Sequence, residues 1–127
     1  MKNFQVSPIG KININEEKMF IEIKPKYIPA LQALDGFSHI SVIWWFSDFD
    51  NEKVRNTLEV TQPYKKSPDT MGIFATRSPI RPNPIALTVV QVIHIDYEKG
   101  IIQIPYIDAN DGTPVLDIKP YTPSLDR

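Results

Sequence analysis

Proline placement limits this chain more than any other feature of its sequence. Twelve prolines stand against five glycines, and nine of the twelve lie from Pro63 onward. A proline inside a helix removes an amide donor, and its ring strikes the carbonyl of the preceding turn. Long helices are therefore excluded from the second half, which leaves short strands joined by turns. Pro79, Pro82 and Pro84 all fall within residues 77–84. Each fixes its own φ and pushes the residue before it towards extended geometry, so this stretch is a stiff loop and not regular structure.

The hydrophobic pattern agrees. Residues 9–14 and 19–24 alternate, with Ile12, Ile14, Ile21 and Ile23 apolar, and 15–18 are polar turn residues. That predicts a hairpin with one buried face. Ile28, Leu31 and Leu34 are spaced three apart, with Pro29 near the start and Asp35-Gly36 behind, which predicts a short helix over 27–34. Residues 40–46 are a β-branched and aromatic run suited to a strand buried on both faces. A short helix fits 52–58, an exposed loop 64–70 and a strand 71–76. Residues 87–96 and 101–107 read as a second hairpin around 97–100, and the end from Asp108 is rich in turns. Short strands at close spacing predict a mainly β fold, a small β-barrel or curled sheet with short helices.

At 127 residues with 42% hydrophobic side chains, one domain spanning 1–127 is expected. A chain this long buries about two-thirds of its unfolded surface without staples. The absence of cysteine excludes disulfides, thiolate metal sites and cysteine nucleophiles, and His39 and His94 are too few for a multi-histidine zinc site. A net charge of −1 argues against wide phosphate coating but leaves room for a local basic patch. No apolar run reaches the roughly 18 residues of a membrane span, and residues 1–5 lead into a strand without an apolar signal core, so the cytoplasm is the expected compartment.

Three places carry groups suited to chemistry. The proline-stiffened loop holds Arg77 and Arg81 in set directions, which suits preorganised recognition of a carboxylate or phosphate. Its alternative is a rigid surface loop whose arginines pair with Asp or Glu. With Lys65 and Lys66, residues 65–81 carry four basic side chains against the single Asp69, a modest patch for polyanion contacts. Asp108, Ala109, Asn110 and Asp111 follow a strand, where carboxylates accept from ribose hydroxyls or hold a cation; plain turn chemistry is the competing account. His39 reads as structural, and at least one of Trp44 and Trp45 as core. No glycine-rich phosphate loop, serine elbow, zincin helix or Cys-x-x-Cys pair occurs.

Taken together, Gly36-Phe37-Ser38-His39-Ile40, Gly72-Ile73-Phe74-Ala75-Thr76-Arg77-Ser78-Pro79, Arg81-Pro82-Asn83-Pro84-Ile85 and Asp111-Gly112-Thr113-Pro114-Val115-Leu116-Asp117-Ile118-Lys119-Pro120-Tyr121 resemble one family. It is the TrmO/TsaA family of S-adenosylmethionine-dependent methyltransferases, and the resemblance runs from about Ile9 to Pro123. It implies a TsaA-like β-barrel working as a homodimer without a metal. The activity it implies is N6-methylation of the modified adenosine 3′ of the anticodon in tRNA. By the same resemblance the methyl donor is held by Arg77, by Leu87, by Asp108, Ala109, Asn110 and Asp111, and by the polar pair Ser47 and Asp48. The family's Pro-Arg-Gln element has no counterpart between Ile14 and Met19, Ser47 stands where histidine usually begins the pair, and Ala86 replaces a glycine.

Methyl transfer from a sulfonium is an in-line displacement in which positioning supplies most of the catalysis. Asn83, Asp111 and Tyr121 are the candidates for drawing on the N–H of an acceptor amine, and Lys65, Lys66 and Arg81 for contacting the acceptor. Two alternatives stand beside the tRNA enzyme: a methyltransferase of a small molecule, and a non-catalytic module that binds S-adenosylmethionine.

Overall fold

The computed structural model of the chain describes residues 3–61, 65–66 and 68–127. In chain order its strands are β1 (Gly10–Asn15), β2 (Lys18–Ile23), β3 (His39–Trp45), β4 (Glu59–Thr61), β5 (Thr70–Gly72), β6 (Ile85–Gln91), β7 (His94–Asp96), β8 (Ile101–Ile104) and β9 (Pro114–Pro120). Two single-turn helices, α1 (Glu52–Arg55) and α2 (Pro123–Asp126), and several 3-10 turns complete it. The residues form two compact units, one of Met1–Trp44 with Leu87–Arg127 and one of Trp45–Ala86. No helix among the described residues is long and apolar enough to cross a membrane.

The first unit is built on a seven-stranded sheet in the order β6-β3-β9-β1-β2-β8-β7. The β1–β2 hairpin follows the alternation of its sequence, and its turn has only two residues, Glu16 and Glu17, with φ of 51° and 66°. Positive φ at both positions is what a type I′ turn requires, and it matches the twist of the strands. Across the ladders Ile12 faces Ile21, Ile21 faces Ile102 and Ile102 faces Ile95. The first three are fully buried, so one row of isoleucines crosses four strands and forms the centre of the core. Each such side chain contributes about 1.5–3 kcal/mol by leaving water.

Several expectations need correction. Residues 87–96 are not one hairpin arm: the run splits into β6 and β7, at opposite ends of the strand order. Only Val92 and Ile93 separate them; the Val92 N–H donates to the Ser38 carbonyl and the Ile93 N–H to the Gln103 carbonyl. The chain thus changes partner within two residues, a reach of at most about 11 Å, so the sheet must curl until its ends approach. The mainly β class stands; the sheet is curled, and its ladder order is not closed into a complete barrel. The helix expected over 27–34 is instead a 3-10 helix, Pro25–Leu31, followed by a 3-10 turn, Leu34–Gly36. Pro29 has no N–H for the Pro25 carbonyl four residues back, and its ring would strike that carbonyl in an α-helix. β3 is fully buried only through Ile40, Val42 and Trp44, while Ser41, Ile43 and Trp45 are half-buried.

In the second unit the helix expected over 52–58 is the single turn α1, capped by Asn51, whose Oδ1 accepts from the Val54 N–H at 2.9 Å. The strand expected over 71–76 stops at Gly72, and Ile73–Ala75 form a 3-10 turn. β4 and β5 pair antiparallel, three residues each. In the expected loop 64–70, Lys65 and Lys66 are exposed and Thr70 belongs to β5, while Tyr64 and Ser67 lie outside the described residues.

Candidate functional site

In the second unit the loop 77–84 is fixed at nearly every position. Thr76 is buried; its Oγ1 donates to the Ile73 carbonyl at 2.8 Å and accepts from the Ser78 N–H at 3.2 Å. Ser78 Oγ repeats the device with the Ile80 N–H at 3.1 Å. These hydroxyl turns are the side-chain substitute for a backbone turn where prolines withhold N–H donors. Arg81 folds back, and its Nη1 donates to the carbonyls of Thr76 at 3.2 Å and Ser78 at 3.0 Å. The far end is held by Arg55, whose Nη1 donates to the Pro82 carbonyl at 3.1 Å while its Nε pairs with Asp50 at 2.8 Å. The Arg55 guanidinium also lies 5.7 Å from the centre of the Trp45 ring. Pro84 is fully buried, and its carbonyl accepts from the Phe46 N–H at 2.8 Å.

Arg77 stands exposed between the anchored Thr76 and Ser78. Arg81 thus braces the loop's backbone from a half-buried position, while Arg77 is exposed on it. Asn83, on the same loop, is exposed. Lys65 and Lys66 lie apart from these, between β4 and β5, and Ser47 and Asp48 occupy the exposed 3-10 turn Ser47–Phe49 ahead of α1.

The remaining candidates belong to the first unit. Leu87 is half exposed on β6. Asp108 and Asn110 are exposed and Ala109 is half-buried. Residues 110–113 form a turn in which the Thr113 N–H reaches the Asn110 carbonyl at 3.2 Å and Gly112 takes φ 84°. That is the positive φ of the third position of a type II turn, where glycine is the favoured residue. The turn is fastened to β1: Asp111 Oδ1 accepts from the Ile14 N–H at 2.8 Å, and the Gly112 N–H donates to the Ile12 carbonyl at 2.7 Å. One oxygen of Asp111 is thus structural. Tyr121 follows β9, half-buried, with its N–H on the His39 carbonyl at 3.0 Å.

Sequence reasoning passed over Arg55, Thr76 and Ser78, the residues that shape the loop. The two hydroxyls had a legible signal in their spacing ahead of the prolines, whereas nothing near Arg55 in sequence points to Pro82. It also passed over a cleft of about 390 Å³ lined by Ile28, Pro29, Gln32, Ala33, Asp35 and Tyr97. There the Tyr97 hydroxyl donates to Asp35 Oδ1 at 2.7 Å and accepts from the Asp35 N–H at 3.2 Å. The bond to the carboxylate raises the phenol above its ordinary pKa, with burial adding to the shift.

The family model of the tRNA-methyltransferase O N-terminal domain matches residues 2–127. An S-adenosyl-L-methionine-binding protein of Archaeoglobus fulgidus is 37% identical over 106 residues, 84% of this chain and 70% of its own length. A "Probable S-adenosyl-L-methionine-binding protein" of Pyrococcus horikoshii is 39% identical over 116 residues, covering 91% of this chain and 81% of the relative. The crystal structure of TrmO from P. aeruginosa superimposes with a TM-score of 0.76 at 28% identity, across 100% of this chain and 58% of that one. The chain spans little more than half the length of that enzyme. It belongs to the family of the tRNA-methyltransferase O N-terminal domain, which is a family of S-adenosylmethionine-dependent methyltransferases.

Proposed function

We propose that the chain transfers the methyl group of S-adenosylmethionine to the N6 amine of the modified adenosine 3′ of the anticodon in tRNA, as a cytoplasmic homodimer. The two compact units are read as parts of one TrmO-type domain, since the family match runs through both. The observation that carries the reading is Arg77, an exposed cation on a loop held by three prolines, two hydroxyl turns and Arg81.

The residues fit the donor's chemistry. Its methionine carboxylate calls for a guanidinium, which Arg77 provides; its ammonium and ribose hydroxyls call for acceptors, which Asp108 and Asn110 provide. Leu87 offers an apolar face for the adenine, and Ser47 and Asp48 offer further polar contacts. When bound, S-adenosylmethionine supplies an electrophilic methyl group on a sulfonium. The chain's own part is to orient the partners, which is where intramolecular-like positioning contributes most. Asp111 uses one oxygen to hold Ile14 and keeps the other, and Asn83 Oδ1 lies 3.5 Å from Arg55 Nη1, so the acceptor for the amine N–H is one of Asn83, Asp111 and Tyr121. Lys65 and Lys66, both exposed, are assigned to phosphate contact.

A small-molecule acceptor is the second reading, and the net charge of −1 favours it. Labelled S-adenosylmethionine offered with separate RNA and metabolite fractions, followed by digestion and mass detection, distinguishes the two; label in neither fraction indicates a binding module. Arg77→Ala is expected to weaken donor binding at least tenfold by calorimetry with the fold unchanged. Wild-type affinity in that variant would remove Arg77 from the site.

A further inference from the structure

The cleft beside Tyr97 lies wholly within the first unit, and none of its lining residues is assigned to the methyl donor or its acceptor. Each of its walls is set by backbone geometry. On one side Ala33 takes φ 71° between the two 3-10 turns, a left-handed conformation that glycine adopts without strain and alanine does not. Alanine at that position adds a methyl to the wall, which glycine would omit. On the other side Asp96 Oδ1 accepts from the N–H groups of Glu98 at 3.1 Å and Lys99 at 3.0 Å, which fixes the turn carrying Tyr97. Gly100 ends that turn with φ 69°. A Cβ there would stand 2.6 Å from Ile28 Cγ1, so the turn seats directly on the Ile28 side chain. Two bonds then clasp the walls together: the Asp35 N–H donates to the Tyr97 hydroxyl, and that hydroxyl donates to Asp35 Oδ1.

The lining decides what suits this hollow. Ile28, Pro29, Ala33 and the Tyr97 ring are apolar, Gln32 offers an amide, and the one charged group is the Asp35 carboxylate. Among the described residues nothing bonds to Asp35 Oδ2, and no Lys or Arg pairs with it. Lys26, two residues ahead of Ile28, is turned onto the Tyr27 ring, 4.9 Å from its centre. A preformed hollow that is apolar apart from a few placed polar groups is the usual form of a small-ligand site. Here a carboxylate stands beside an aromatic ring, and both select a cation: the carboxylate accepts its N–H bonds, and the ring face attracts its charge. The apolar remainder suits an alkyl chain.

We propose that this cleft is a second binding site, for a primary alkylammonium group. The ammonium sits on Asp35 Oδ2 and the Tyr97 ring, and the alkyl chain lies against Ile28, Pro29 and Ala33. Neither Asp35 nor Tyr97 is part of the methyl-transfer site proposed above, so the two readings stand or fall separately.

The test follows the backbone amide resonances of the isotope-labelled whole chain during titration with butylammonium, pentanoate and ammonium chloride. Butylammonium is expected to shift the Gln32, Ala33 and Asp35 amides saturably, about tenfold more tightly than either control. Asp35→Asn keeps the shape without the charge and is expected to weaken that binding about tenfold. Tyr97→Leu should weaken it about two- to fivefold, and Tyr97→Phe, which keeps the ring, less than about twofold. Putrescine binding more tightly than Nα-acetyl-lysinamide would mark a free amine as the source of the group, and the reverse order a lysine side chain. Equal affinity for pentanoate overturns the proposal, as does a butylammonium affinity unchanged in Asp35→Asn. S-adenosylmethionine shifting the same amides would overturn it too, since the cleft would then belong to the donor site.

Discussion

In the first unit most side chains withdrawn from water are strand residues, Ile12, Ile21, Ile40, Val42, Ile102, Ile104 and Val115, arranged by ladders of backbone bonds, with Leu31 and Ile107 added from between the strands. In the second unit, Trp45–Ala86, the buried residues among those described are few: Ile73, Thr76, Pro84 and Ala86. What orders that unit is polar: the Asn51 cap, Arg55 on Asp50 and Pro82, the Thr76 and Ser78 turns, and Arg81 on two carbonyls. Apolar burial is non-directional and large in sum, so it suits a scaffold. Hydrogen bonds contribute little net stability each but fix direction, so they suit a loop that must aim Arg77. The difference separates what holds the fold from what shapes a site.

Ile102→Ala tests that separation most severely. It removes the centre of the isoleucine row, where Ile102 faces both Ile21 and Ile95, and is expected to lower unfolding free energy by about 2–5 kcal/mol in urea. Arg81→Met is the counterpart. It removes two bonds to backbone carbonyls from a half-buried position, and about 0.5–1.5 kcal/mol of stability is expected to go with them. Donor affinity is nevertheless expected to fall severalfold, because the frame that presents Arg77 loosens. Equal stability losses in the two variants would break the comparison, and so would an Arg81→Met chain that binds the donor normally.

How far the sequence showed this depended on which force was at work. The β1–β2 hairpin was legible because Ile12, Ile14, Ile21 and Ile23 report their faces through a local alternation. The loop 77–84 was legible because proline acts on its own φ and on its immediate neighbour. The break at Val92 and Ile93 was not, since both suit a strand and only the change of partner from Ser38 to Gln103 divides them. β4 was also hidden, too short to show a period, and β5 was legible only as part of a longer run over 71–76. Within the candidate site, Arg77 and Arg81 are the same residue type on one loop, with Pro79 between them. Only the folded loop shows that Arg81 turns back on Thr76 and Ser78 and that Asp111 gives an oxygen to Ile14.

The smallest expected effect concerns a polar tie on the scaffold side, where the comparison says such ties matter little. Tyr97 donates to Asp35, and that bond favours the protonated phenol in the folded chain, holding its pKa above the ordinary value of about 10. A group whose folded pKa is raised stabilises the fold fully below its unfolded pKa and loses that contribution as pH rises through the folded value. The wild-type chain should therefore be slightly more stable than Tyr97→Phe at pH values below about 10, with the gap closing as the phenol ionises above it. Urea midpoints of the two proteins across this range measure the gap, and the other tyrosines cancel in the difference. A gap that persists at the alkaline end would trace to ring packing in the cleft instead of the hydrogen bond. One as large as that of Ile102→Ala would mean that the first unit, too, is held by its polar contacts.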